Sequence, residues 1–63
     1  MSADILAACW DLAGTADSAL NPECCNVRSR VRYAGILADY VARGGILPAP
    51  WQWRELIALV VSH

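Results

Sequence analysis

Two pairs of helix-breaking residues, Asn21-Pro22 and Gly44-Gly45, cut this chain into three pieces and leave little choice of fold. The piece between them has apolar residues at helical spacing and no internal proline, so it reads as one helix from Pro22 to Arg43. Asn21 supplies its N-cap, Pro22 its first position, and Glu23 a carboxylate at the positive end of the helix dipole. Arg43 meets the negative end, and the two glycines stop the helix. At about 1.5 Å per residue the element spans roughly 33 Å, the width of a small domain.

The flanking pieces are helical too. Ser2 caps a helix from about Ala3 to Ala19, with Asp4 in its first turn. Ile5, Cys9, Leu12, Ala13, Ala16 and Leu20 form its apolar stripe, Asp4, Asp11, Thr15 and Ser18 its wet side, and Trp10 sits at the border. Gly14, costly inside a helix, implies the close approach of another one. After Gly44, Pro48 and Pro50 hold the chain extended before a third helix over Trp51–Val61. Trp53, Leu56, Ile57 and Val60 share a face of that helix, while Trp51, Leu59 and Val61 spread apolar surface around it. Two tryptophans two residues apart cannot share one helix face, so Trp53 is expected inside and Trp51 outside. The fold class is therefore all-α: one domain over residues 1–63, a long antiparallel hairpin with a short helix across it.

The middle helix divides into three lines. Val27, Val31, Ala34, Leu37, Ala38 and Val41 make the expected core seam. Arg28, Arg32, Asp39 and Arg43 form a charged stripe on the far side, with Asp39 and Arg43 at ion-pairing spacing. Ser29, Tyr33, Ile36 and Tyr40 run between the two, to be covered by the third helix or offered to a partner. Arg30 is set apart from its neighbours: with the hairpin turning near Leu20-Asn21 it comes opposite Asp11, where an interhelical ion pair accounts for it.

Chemistry is sparse. The single histidine, His63, is the last residue printed and is expected to fray. Gly44-Gly45 follows a helix rather than a strand, so it is no phosphate loop. Cys24-Cys25 lacks zinc-finger spacing, and adjacent helical cysteines are poorly placed for a mutual disulfide. In the hairpin register Cys9 lies roughly 12 Å along the axis from Cys24, beyond disulfide reach, so all three thiols are expected to be reduced. No enzyme, cofactor or metal site is expected.

Composition narrows the partners. A net charge of −1 and no lysine argue against polyelectrolyte binding to nucleic acid. No apolar run approaches the about 20 residues of a membrane span, and no basic region precedes an apolar stretch as in a signal peptide, so a cytoplasmic protein is expected. Hydrophobic residues make up 57%, more surface than so short a chain has interior to bury. The expected function is thus binding: a small regulator or inhibitor docking on a larger host protein or complex through Arg28, Arg32, Tyr33, Ile36, Asp39, Tyr40, Arg43 and Trp51. Its profile is that of phage-encoded proteins that blunt a host machine in the host cytoplasm, anti-CRISPR proteins among them, an analogy of size and bareness rather than of motif. Two alternatives stand beside it: a DNA-binding regulator using the arginine face, and a structural homodimer through the C-terminal helix.

Overall fold

The computed structural model describes residues 2–21, 23 and 26–63. Three helices follow one another along the chain: α1 (Ala3–Leu20), α2 (Val27–Ala42) and α3 (Trp53–Ser62). As expected, Ser2 caps α1, its Oγ accepting the Ile5 N–H at 3.3 Å. The radius of gyration of 10.5 Å matches the roughly 10.6 Å of a packed chain this long, so the three helices share one core.

The start of α2 differs from the sequence expectation. Asn26, not Asn21, is its N-cap, with its Oδ1 accepting the Arg28 N–H at 2.9 Å. Asn21 instead closes α1: its N–H reaches the Asp17 carbonyl at 2.8 Å, and its Oδ1 takes the Glu23 N–H at 3.1 Å in an Asx turn. The reason is steric. Two packed helices stand about 8–10 Å apart, and the two residues expected between Ala19 and Pro22 give little length to span that gap while reversing direction. Starting at Val27, α2 has 16 residues, or about 24 Å. The placements expected of Pro22, Cys24 and Cys25 lie outside the described residues.

The far end of α2 follows expectation closely. Gly44 has φ +95°, its N–H bonds to the Val41 carbonyl, and the Gly45 N–H bonds to the Tyr40 carbonyl, each at 3.0 Å. That pair of bonds is the Schellman stop, and the left-handed residue in it is glycine because a Cβ would be strained there. Beyond it, a turn closes from Ala49 to Gln52, whose side-chain carbonyl accepts the Ala49 N–H at 2.9 Å. α3 therefore starts at Trp53, two residues later than expected.

The core is Cys9, Leu12, Ala13 and Ala16 from α1, Ile36 and Leu37 from α2, and Leu56 and Val60 from α3. Tyr33, Ala34, Ala38 and Leu47 pack against its edge. The α1 stripe is as expected, but α2 is rotated. Its expected seam held Val27 and Val31, which are 67% and 55% exposed, while Ile36, assigned to the intermediate line, is buried. Both lines have helical spacing; the one with Tyr33, Ile36 and Leu37 removes more apolar area from water and is the one buried. α3 lies chiefly against α1 and presents Leu56 and Val60 inward. Trp53, expected inside, is 49% exposed, because a side chain on the first helical residue leans back past the packed turns.

Cys9 is buried and free. Burial pushes its thiol up from the ordinary range, opposed in part by a backbone hydrogen bond. The folded thiol thus keeps its proton to higher pH than the unfolded one. Its contribution to stability is complete below the unfolded thiol range and is lost as pH climbs from there through the raised range of the folded thiol. Native Cys9 is expected to react with a maleimide far more slowly than Cys9 in denaturant, scored by mass spectrometry of its peptide. Equal rates would place it at the surface.

Candidate binding surface

The outer face of α2 carries the charged stripe. Arg28 and Arg32 are exposed, one helical turn apart, and neither forms an ion pair among the described residues. Arg43 is exposed and holds Asp39 with Nε 3.2 Å from Oδ2, the expected i,i+4 pair. His63, expected to fray, comes back onto the same carboxylate, with Nε2 3.3 Å from Asp39 Oδ2. The end of α3 therefore stands beside the last turn of α2. Asp39 is already engaged, so Arg28 and Arg32 are the stripe's open charges.

Beside them lie Val27 and Val31, which the core leaves uncovered. A wheel centred on Leu37 puts Val31 about 120° away and the Arg28–Arg32 line next to it. That angular separation was the available signal, and the regular spacing of the valines hid it. On α1, Leu6 and Trp10, also one turn apart, are exposed. Trp10 and Val27 line one cleft of about 200 Å³ with Gly14, Asp17, Ser18, Asn26 and Arg30, so these apolar groups border the same side of the α1–α2 seam.

Arg30 occupies the middle of that seam. Its guanidinium lies 4.2 Å over the Trp10 ring, its Nε donates to the Trp10 carbonyl at 2.9 Å, and a terminal nitrogen is 3.8 Å from Asp11 Oδ1. The ion pair expected from the hairpin register is there, with a cation–π contact in addition. Gly14 is explained by the same group: a Cβ there would stand 3.1 Å from the Arg30 Cζ. The expected close approach is thus a guanidinium plate and not a helix backbone. Asp17, which sequence reasoning did not single out, is 3% exposed, and its Oδ1 finds no hydrogen-bond partner among the described residues.

The remaining expected contacts separate. Ile36 belongs to the core and is removed from the binding surface; Tyr33 and Tyr40 are half-buried along the inner side. Trp51 is 77% exposed on the link, in a shallow cleft shared with Gln52, Trp53, Arg54 and Glu55 and with no α2 residue. The structure brings together Arg28, Arg32, Asp39 and Arg43, and adds Val27 and Val31.

No known family, curated protein or solved structure matches the chain. Among the described residues, no three or more His, Cys, Asp or Glu side chains gather as a metal site would need, and no helix is long and apolar enough to cross a membrane.

Gly35 stands at the centre of the outer face. It is exposed, and a Cβ there would meet nothing within 4 Å. Relative to alanine it costs the helix about 1 kcal/mol.

Proposed function

We propose that the protein is a non-enzymatic binding module, a regulator or inhibitor that acts by docking the outer face of α2 on a larger protein. The observation that carries this reading is the pair of unpaired arginines, Arg28 and Arg32, beside exposed Val27 and Val31 on one helix face. Arginine is enriched at interface hot spots, since the planar guanidinium both stacks and donates in a fixed fork, and the exposed valines beside it add apolar contact area.

Size supports the same mode of action. A standard interface takes about 800 Å² from each partner. The whole surface here is 4295 Å², so such an interface would cover nearly a fifth of it. The arginines alone cannot supply that area; the valines and the neighbouring Leu6–Trp10 edge extend it. A chain this small regulates by covering a site on its partner, the role phage-encoded inhibitors of host machines fill.

The test is charge reversal at both arginines. Arg28→Glu with Arg32→Glu is expected to leave the helical circular dichroism intact and lower capture of the partner from lysate by at least about tenfold. Capture at the wild-type level would place the binding surface elsewhere.

A further inference from the structure

We infer that the partner presents an acidic, amphipathic α-helix, which lies along the outer face of α2 and crosses it at Gly35. This rests on the reading of the protein as a binding module and names the chemistry of what it binds.

Three features of this face work against the isolated fold. Arg28 and Arg32 are like charges at i,i+4, which repel. They also lie in the N-terminal half of α2, where the dipole favours anions, and its first turn holds no acidic residue. Gly35 weakens the helix it sits in. Val27 and Val31 remain in water. Sequences break local rules of this kind where a function requires it.

Gly35 is the most specific of the three. The chain has four glycines, and the fold explains the other three. Gly14 admits the Arg30 guanidinium, Gly44 takes the positive φ, and Gly45 lies against the Tyr40 ring. Gly35 has neither a positive φ nor a neighbour, so nothing within the chain calls for a missing side chain there. Val27, Val31 and Gly35 fall four residues apart in one ridge, with Gly35 as a notch in it. Ridges at this spacing are what packed helices interlock, and a notch lets the second axis approach to the short end of the usual range.

Charge selects the occupant. Residues 26–43 hold four arginines against one aspartate, while the rest of the chain holds five acidic residues against Arg54. A second copy laid parallel would set Arg28 and Arg32 against their own kind, and one crossing antiparallel at Gly35 would bring them to Ala42 and Ala38, where the nearest carboxylate, Asp39, is already held by Arg43. Duplex DNA would match the arginines but leave the valine ridge without a role. A helix with carboxylates flanking an apolar line satisfies both, with its carboxylates on Arg28 and Arg32 and its apolar line on Val27 and Val31.

The test uses ¹⁵N-labelled full chain and three probes: a stapled amphipathic peptide with leucines flanked by glutamates, the same peptide with lysines for glutamates, and a short DNA duplex. The glutamate peptide is expected to shift the amides of Val27, Arg28, Val31, Arg32 and Gly35, and to bind at least about tenfold more tightly than the lysine peptide. Gly35→Ala is expected to raise the thermal midpoint of the free protein while weakening the glutamate peptide several-fold. Equal binding of the two peptides, or unmoved α2 amides, overturns the acidic helix but leaves the binding module standing if the arginine reversals still abolish capture. Shifts caused by the duplex at physiological salt overturn both. A Gly35→Ala variant that melts lower shows the glycine serves the fold and removes the notch, as does one that binds the peptide unchanged.

Discussion

Replacing Leu37 with alanine is expected to remove a large share of the protein's stability. Leu37 is wholly buried between α1 and α3, among Cys9, Leu12 and Leu56. Truncating a buried leucine removes its transfer energy and leaves a cavity, together about 2–5 kcal/mol. A domain of 63 residues has about 3–9 kcal/mol in total, so from about a quarter of its stability to all of it is at stake. Urea unfolding followed by circular dichroism reads the loss as a fall in midpoint at constant slope. The informative comparison is Val31→Ala on the same helix, expected to stay within about 0.5 kcal/mol of wild type as an exposed position. If the two substitutions cost the same, the rotational setting of α2 described above is wrong, and the binding surface with it.

That setting is the point at which sequence reasoning reached its limit. The helices, their order and the all-α class were legible because proline, glycine and asparagine act locally. So was the Arg30–Asp11 pair, which needed only the hairpin and the rise per residue. Two asparagines five residues apart, however, are equally good caps, and only the space needed to reverse the chain decides for Asn26. Likewise α2 carries two apolar lines at helical spacing. Periodicity cannot rank them; packing in the shared core, chiefly against α1, does, by burying the one with the larger side chains. The same fact moved Ile36 from the candidate surface to the core and left Val27 and Val31 outside. His63 drew an incorrect expectation from chain position, since its partner Asp39 lies 24 residues away. Of the expected surface, Arg28, Arg32, Asp39 and Arg43 were readable because charge stays in water whichever apolar line is buried.

Gly45→Ala is expected to be the most damaging change outside the core, and its cost to depend on Tyr40. A Cβ at Gly45 would fall into the Tyr40 ring, within van der Waals radii of several ring atoms. The ring is half-buried and Gly45 is tied by its N–H to the Tyr40 carbonyl, so neither can simply step aside. Overpacking of this kind costs about 1–3 kcal/mol. Gly44→Ala is expected to cost about 1 kcal/mol by a different route, the positive φ, and to be indifferent to Tyr40. A double-mutant cycle separates the two. In a Tyr40→Ala background the Gly45→Ala penalty should largely vanish while the Gly44→Ala penalty persists. Additive penalties at positions 40 and 45 would mean that the ring does not rest on Gly45. Tyr40 would then be free to turn outward and rejoin the candidate surface of α2.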